Sequence, residues 1–309
     1  MLRDYFKSFF QIFLLQFVTK NHILSQSEYM GRFASIGEQQ HVTYIQIDRE
    51  TICSGAIINE SWVLSAAHCF YKNNKKVHPK NVEVAAGIND YLVIRGPTKQ
   101  ESAVKEIIIH PGYWSSHRLS KYDIALLKLQ EPFQFDVSVF FIELDGEGWP
   151  IKDGPELRSC TTSGFGAIKT GLKRNTKLKL LEVNATHGNT ACPCTKSYQW
   201  KRLVCLPPSS QPALCQGDSG SVLVCNNKAV AVAHKPVSKK TCTIDPLTEI
   251  NRCGADNIIA MYMYLCPMND WIRSHVTNVP PTPKSCMACR QKYNIFSLTC
   301  ILLYTLIKH

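Results

Sequence analysis

Residues 211–225 read QPALCQGDSGSVLVC, the most informative stretch of the chain. It places Ser219 between Asp218 and Gly220, in a turn that opens onto an apolar run. A serine hydroxyl is a poor nucleophile at its ordinary pKa, and it needs a base within hydrogen-bond reach that is itself oriented by an acceptor. If Ser219 is to react, the rest of the chain must supply both groups.

Two segments offer them. Ser65-Ala-Ala-His68-Cys69 places a histidine directly after an apolar run and beside a cysteine. Tyr122-Asp123-Ile-Ala-Leu-Leu places a carboxylate at the start of another apolar run. Taken alone, such a histidine is usually structural and such an aspartate is usually a turn residue, so the argument depends on the three segments together.

With His68, Asp123 and Ser219 in this order, the chain resembles the trypsin/chymotrypsin family of serine peptidases. The resemblance covers residues 33–276. The segments that carry it are CSGAII at 53–58, WVLSAAHC at 62–69, DIALL at 123–127, SGFG at 163–166 and GDSG at 217–220.

Short apolar runs broken by turn residues fill residues 41 to 275, and this pattern predicts strands. The predicted strands are Val42–Ile47, Ala56–Ile58, Trp62–Leu64, Val82–Ala86, Ile107–Ile109, Ile124–Leu129, Val222–Val224 and Val230–Ala233. Met268–His275 suits a short helix. The pattern alone leaves barrels or a sandwich open. The resemblance implies an all-β fold of two packed six-stranded antiparallel barrels with a short C-terminal helix.

The resemblance also implies the role of each residue. Ser219 attacks a peptide carbonyl, His68 takes the serine proton and returns it to the leaving amine, and Asp123 orients His68. The backbone N–H groups of Gly217 and Ser219 form the oxyanion hole. The expected function is that of a serine endopeptidase.

Fourteen cysteines suit an exported, oxidised chain. By similarity to the family, the expected disulfides are Cys53–Cys69, Cys160–Cys225, Cys194–Cys205 and Cys215–Cys253. Six cysteines have no family partner: Cys192, Cys242, Cys266, Cys286, Cys289 and Cys300. Cys286-Met-Ala-Cys289 is a weak zinc signal without a second pair, so we expect neither metal nor cofactor.

The family comparison also predicts which side chain is accepted at the cleaved position. Ala213 takes the place of the pocket floor, and Leu214 and Ala260 line the same pocket. No carboxylate is present to select Arg or Lys. We therefore expect cleavage after an uncharged, hydrophobic residue, an environment that separates similar apolar groups only weakly.

One departure from the family concerns activation. Family zymogens are cut before an Ile-Val-Gly-Gly-like sequence, and the freed amine pairs with the aspartate that precedes the nucleophile, here Asp218. No such tetrapeptide is present. The best candidate is the bond between Arg32 and Phe33, which predicts an ion pair of Asp218 with the Phe33 amine. Asp218 left unpaired in the interior would be costly.

A second departure is Ala233-His234-Lys235-Pro236, where the family has a Ser-Trp-Gly-like sequence that pairs with the substrate backbone. Pro236 lacks an N–H for that purpose, and Lys235 replaces an aromatic wall. An insertion of about a dozen residues precedes Cys253 by family comparison. These departures keep a second hypothesis open, a catalytically silent homologue that serves as a binding module. A non-peptidase serine hydrolase is a third hypothesis, and the G-x-S-x-G elbow expected for it is absent.

The ends of the chain predict export. Arg3 and Lys7 precede an apolar stretch, so residues 1–27 are expected to be a signal peptide and 28–32 a short propeptide. The peptidase domain is expected at 33–276. Residues 277–309 are expected to form a Pro-containing linker and an apolar tail, which could carry a lipid anchor at Ser285 or Cys286. We expect a secreted, extracellular protein that meets a membrane only if this tail anchors it.

The formal net charge is +11. Much of it lies in Lys72–Lys76, Lys169–Lys179 and Lys239–Lys240, which we interpret as solvated loops because no aromatic residues interleave the lysines. Nucleic acid is therefore not an expected partner. The expected partners are a polypeptide substrate and protein inhibitors, bound by a monomer.

Overall fold

Antiparallel strands dominate the structure, a computed structural model that describes residues 31–114, 121–150, 157–167, 175–188, 191–192, 202–206, 214–238 and 258–286. The strands form two closed barrels, each of six strands, with the core residues on their inner faces. The all-β prediction of two antiparallel barrels is confirmed.

The strands of the first barrel are β2 (Val42–Ile47), β3 (Thr51–Asn59), β4 (Trp62–Ser65), β7 (Val82–Ala86), β8 (Gln100–Ile109) and β9 (Ala125–Leu129). Around the barrel, neighbouring strands follow the order β2-β3-β4-β9-β8-β7. Between β4 and β7 lies a small exposed hairpin of β5 (Tyr71–Lys72) and β6 (Lys75–Lys76). The lysines of this hairpin are exposed, as the sequence predicts for Lys72–Lys76.

The second barrel runs in the order β11-β10-β13-β14-β15-β12 and closes between β12 and β11. Its strands are β10 (Arg158–Gly164), β11 (Lys179–His187), β12 (Leu203–Cys205), β13 (Val222–Cys225), β14 (Lys228–Ser238) and β15 (Ile258–Tyr264). The short strand β1 (Arg32–Phe33) adds to the outer edge of β11.

The eight predicted strands all coincide with observed strands, but several are longer than predicted, and β8 begins seven residues earlier, at Gln100. The predicted helix shortens to α1 (Asn269–Arg273), preceded by a 3₁₀ turn at Cys266–Met268. The strands that the sequence analysis did not predict are mostly in the second barrel: β10, β11, β12 and β15.

Four disulfides join described cysteines: Cys53–Cys69, Cys160–Cys225, Cys192–Cys205 and Cys266–Cys286. The first two agree with the family spacings. The expected Cys194–Cys205 pair is wrong, because Cys205 bonds to Cys192, whose Cα lies 5.4 Å away and within the span of a disulfide. Cys215 is also disulfide-bonded, and its expected partner Cys253 lies outside the described residues.

The segment 277–286, which its prolines predicted to be a linker, instead packs on the second barrel. The Thr282 N–H donates to Asp270 Oδ1, and the Asp270 N–H donates to Thr282 Oγ1. Val279 is buried, and the Cys266–Cys286 disulfide holds the end of the segment. The linker prediction is therefore wrong for residues 277–286, and Cys286 is not free to carry a lipid.

The predicted signal peptide and residues 28–30 of the predicted propeptide lie outside the described residues, as does the tail after Cys286. Within the ranges that are described, helices are too short or too polar to cross a bilayer.

Candidate active site

His68 and Asp123 meet because the strands next to them are neighbours in the first barrel. His68 lies in the 3₁₀ turn Ala67–Phe70 that follows β4, and Asp123 lies just before β9. The register pairs Ser65 with Ala125 at the same end of the barrel. The Asp123 carboxylate then accepts the His68 backbone N–H at Oδ1 and is joined to His68 Nδ1 through Oδ2, both at 2.7 Å.

A second histidine shares the same carboxylate. His234 Nδ1 lies 2.5 Å from Asp123 Oδ2, the oxygen that also faces His68. His234 sits at a register shift in β14, between Ala233 and Lys235. Its imidazole is buried, and its Nε2 has no hydrogen-bond partner among the described residues.

Charge and burial act against each other in this group. Burial alone would raise the pKa of Asp123, but the adjacent His68 and His234 hold that pKa well below its ordinary value. Burial lowers the pKa of His234, and the Asp123 carboxylate opposes this effect. An ionised carboxylate can only accept hydrogen bonds, so both histidines must carry a proton on Nδ1. His68 Nε2 is then left as the basic atom.

Ser219 lies beside this pair, held by its backbone. Its carbonyl accepts the Ser54 N–H at 2.8 Å, next to the Cys53–Cys69 disulfide that borders His68. Gly220 packs so closely on the end of β4 that a Cβ there would lie 2.2 Å from Ser65 Oγ. Within the described residues, Ser219 Oγ makes no hydrogen bond to the His68 imidazole, whose side chain is 20% exposed.

The turn before Ser219 depends on a glycine. Gly217 has φ +102°, a conformation that L side chains rarely adopt, and a Cβ there would approach Gly166 Cα to 2.9 Å. The Ser54 hydroxyl donates to the Gly217 carbonyl at 2.9 Å. This hydrogen bond from Ser54 helps to hold the turn in the conformation that the glycine permits.

The Asp218 carboxylate is buried and accepts hydrogen bonds from three donors. The Gly166 N–H donates to Oδ1 at 2.8 Å, and the Cys215 N–H donates to Oδ2 at 2.9 Å. The third donor is the ammonium of Lys179, whose Nζ lies 3.4 Å from Oδ2 and 2.9 Å from the Ala167 carbonyl oxygen. Both charged side chains are only 5% exposed.

The comparisons with known proteins agree with this geometry. The sequence model of the Trypsin family matches residues 29–272. The chain belongs to the trypsin family.

Individual relatives of the trypsin family are distant. Ovochymase-2 of Mus musculus is 34% identical over 186 residues, which is 57% of this chain but only 29% of that protein. Trypsin-1 of Salmo salar is 29% identical over 226 residues, 72% of this chain and 80% of that protein. A solved structure of human heparin binding protein superposes with a TM-score of 0.63 at 22% identity, covering 82% of this chain and 98% of the other. This last likeness shows the trypsin fold alone.

The intact chain has no free amine at Phe33, so the activation ion pair expected from the trypsin family stays a prediction. In this intact chain Asp218 pairs with Lys179, and Phe33 lies in β1 with half of its side chain exposed. Phe33 is the register partner of Lys179 across the β1–β11 ladder. The backbone of Phe33 thus belongs to a sheet, and a lysine occupies the place beside the aspartate.

The interpretation of Lys169–Lys179 as a solvated loop is wrong for Lys179, which is buried at the start of β11. Its apolar neighbours Leu178 and Leu180 are the signal that could have indicated burial. Removing one partner of a buried ion pair costs about 3–5 kcal/mol, because the other charge is left alone in the interior. Loss of Lys179 is therefore expected to destabilise the fold around Asp218.

The predicted specificity pocket is described only in part. Leu214 and Ala260 are buried and apolar, Ala213 lies outside the described residues, and their role in lining the pocket stays a prediction. Ala260 is the register partner of Pro236. Beyond Ala233, β14 pairs with β15 alone within the described part of the chain, so Lys235 and Pro236 lie at a free strand edge.

His234 is the site residue that the sequence analysis missed, although its segment was noted as unusual. A histidine where trypsin relatives carry a small hydroxyl residue was the available signal. His68, Asp123 and His234 also offer ligand atoms within 4.8 Å of one another. The same atoms are hydrogen-bonded to each other, so a cation would have to replace two Nδ1 protons.

Proposed function

We propose that the protein is a serine endopeptidase that cleaves peptide bonds through an acyl-enzyme on Ser219. The observation that carries the proposal is the hydrogen-bonded pair of buried Asp123 and partly exposed His68, whose neighbour Cys69 contacts the Ser219 backbone. This pair leaves His68 Nε2 as the base that the proposal assigns to the Ser219 hydroxyl. Hydrogen bonds between nucleophile and base are often long in a free enzyme and shorten when substrate binds.

The proposed chemistry uses two proton transfers in each of its two half-reactions, acylation and deacylation. Ser219 Oγ attacks the carbonyl carbon while its proton passes to His68 Nε2, giving a tetrahedral oxyanion. The C–N bond then breaks, and the leaving amine takes the proton from His68. A water then gives a proton to His68 and attacks the ester carbon. The C–Oγ bond breaks, and Ser219 Oγ takes the proton back from His68, which releases the acid and restores the free enzyme.

The oxyanion is assigned to the backbone N–H groups of Gly217 and Ser219. The positive φ of Gly217 and the donors around Asp218 support this assignment, because they hold the turn before substrate arrives. Loss of one such donor costs about 2.7–4 kcal/mol of transition-state stabilisation in comparable sites.

The proposed substrate is a polypeptide with a hydrophobic residue at the cleaved position. The buried Leu214 and Ala260 support this preference. A profile of cleavage over a library of peptides tests it, with strong enrichment of aromatic or aliphatic residues expected before the cut. Cleavage restricted to Arg and Lys would refute the preference while leaving the reaction itself in place.

We also propose that the protein works outside the cell. Four disulfides among the described cysteines favour an oxidising compartment, where such bonds persist. The expected signal peptide is tested by N-terminal sequencing of protein collected from the culture medium of expressing cells, where a start near residue 28 is expected.

The reaction is tested by labelling with a fluorophosphonate, which reacts only with an activated serine. Wild type is expected to label stoichiometrically, and S219A not at all. The exposed Ser274 offers a matched control, and S274A is expected to label like wild type. Casein hydrolysis measured in parallel separates a peptidase from a hydrolase that attacks other esters or amides.

A second candidate function is a binding module that retains the trypsin fold without catalysis. It is favoured by Pro236, which has no N–H to offer at the strand edge that would pair with substrate. It is also favoured by the hydrogen bond that Asp123 forms with a second histidine, His234. Folded wild type that neither labels nor hydrolyses casein, even after treatment with trypsin, would favour this function over the peptidase.

A further inference from the structure

The buried pair of Lys179 and Asp218 shows which cation accompanies Asp218 in the intact chain. The chain lacks the usual activation sequence, yet Asp218 is buried and needs a cation. Lys179 supplies it from inside the same barrel, at the first residue of β11. The cation is present in the continuous chain, with the Arg32–Phe33 bond intact.

The lysine is held in place by more than its charge. Its Nζ donates to the Ala167 carbonyl as well as approaching Asp218, so two acceptors on different segments fix its position. Its side chain is as deeply buried as that of Asp218. An ammonium fixed in this way cannot serve as a solvated surface charge.

The aspartate in turn organises the turn that carries the proposed oxyanion hole. Its two oxygens accept the N–H groups of Gly166, which packs against Gly217, and of Cys215, which lies two residues before Gly217 in the sequence. The Ala167 N–H donates to the Gln216 carbonyl at 2.9 Å and closes the same turn. A cation beside Asp218 therefore stabilises the conformation of Gly217.

We propose that Lys179 is a positioning residue that replaces the freed N-terminal amine, so that the chain reaches its reactive conformation without cleavage between Arg32 and Phe33. The inference rests on the proposed peptidase function. It assigns Lys179 no contact with substrate, and it makes activity a property of the single, uncut chain.

The first experiment measures fluorophosphonate labelling of uncut protein. The variant R32Q removes the trypsin-sensitive residue before Phe33, and intact mass with N-terminal sequencing verifies that the bond is whole. We expect R32Q to label at a rate within about threefold of wild type. Protein that labels only after trypsin has cut at Arg32 would overturn the role of Lys179 and leave the peptidase function standing.

The second experiment removes the ammonium. K179M keeps the length of the side chain, and K177M, at an exposed lysine two residues earlier, is its matched control. We expect uncut K179M to label at least tenfold more slowly than wild type, and K177M to label normally. Circular dichroism and the melting temperature verify that K179M is folded. A folded K179M with the wild-type rate would overturn the inference.

If K179M does not fold, the double variant K179M/D218N removes both buried charges and takes its place. Its rate is also expected to fall at least tenfold, and a wild-type rate would overturn the inference. Absence of labelling in wild type, cut or uncut, would refute the peptidase function and this inference with it. The set of outcomes thus separates failure of the lysine role from failure of the reaction.

Discussion

At the scale of single residues, His234 is the feature that most changes the expected chemistry. Asp123 must share one oxygen between two imidazoles, so less of its negative charge is available to the His68 imidazolium. That cation forms in both transition states of the proposed reaction. The second histidine, His234, is therefore expected to make His68 a weaker base.

Replacing His234 tests this restraint. In H234S the Asp123 charge acts on His68 alone, so protonated His68 is stabilised. We expect the acid limb of the labelling rate to move to higher pH. The control is H275S, at an exposed histidine, which should leave the profile unchanged. Superimposable profiles for H234S and wild type would mean that His234 does not draw on the carboxylate.

Gly166 gives a second residue-scale prediction. A Cβ at this position would lie 2.3 Å from the Asp218 carboxyl carbon, so G166A must displace the aspartate and the turn it holds. We expect loss of labelling and a fall in unfolding free energy of about 1–3 kcal/mol or more, measured by urea denaturation. G96A is the matched control, because a Cβ there meets its nearest atom only at 3.4 Å. Wild-type labelling by G166A would contradict the packing argument.

His68, Asp123 and Ser219 could be selected from sequence because their three short segments, taken together and in this order, resemble the family pattern. Lys179 and His234 could not, because their importance comes from partners 39 and 111 residues away. Sequence analysis identified the need for a cation at Asp218 but looked for it at the chain end. A buried lysine and an exposed one have the same letter, and only tertiary contacts separate them.

At the scale of elements, the strands predicted from sequence are those with apolar runs bounded by turns. The strand β10 escaped because Thr162 and Ser163 are polar yet buried, each satisfied by a hydrogen bond. The strand β15 is buried along its whole length and shows no alternation that would distinguish it from a buried helix segment. Composition alone could not detect either case.

The segment 277–286 offers an element-scale prediction. Its disulfide closes a loop of 20 residues, worth about 3 kcal/mol in a chain-entropy description. The double variant C266S/C286S avoids a free thiol and is expected to melt at lower temperature. Hydrogen exchange followed by mass spectrometry should speed up within 277–285, while peptides from β2 to β4 serve as the internal control. Unchanged exchange in the segment would show that the Thr282–Asp270 hydrogen bonds suffice to hold it.

At the scale of the whole molecule, burial lowers the pKa of several histidines and so favours their neutral form. Burial lowers the pKa of His41 to about 4, and burial together with Arg202 lowers that of His110 to about 4. Burial also lowers the pKa of His187 and His234. In the unfolded chain these groups return to about 6.5. The unfolded chain therefore binds more protons than the folded one between about pH 6.5 and 4.

Stability must then fall as the pH falls through this window. We expect the unfolding free energy to drop between pH 7 and pH 5 by at most about 2 kcal/mol for each of His41 and His110. Urea midpoints at pH 7, 6 and 5 measure the slope, and H41Q should flatten it. The lowered pKa of Asp123 affects stability only at lower pH, below the ordinary range of a carboxyl. Stability that is constant or rises toward pH 5 would contradict the assignment of neutral histidines.

The short strand β1 has a consequence for the lifetime of the chain's N-terminal junction. A protease binds its substrate as an extended strand whose backbone groups are free. Arg32 and Phe33 already pair with Leu180 and Lys179 of β11, and the Arg32 guanidinium is bonded to Glu38. Before any protease can engage this bond, the strand must detach from the sheet. The pairing of β1 thus lowers the rate of cleavage at this junction in proportion to the fraction of time that the strand stays attached.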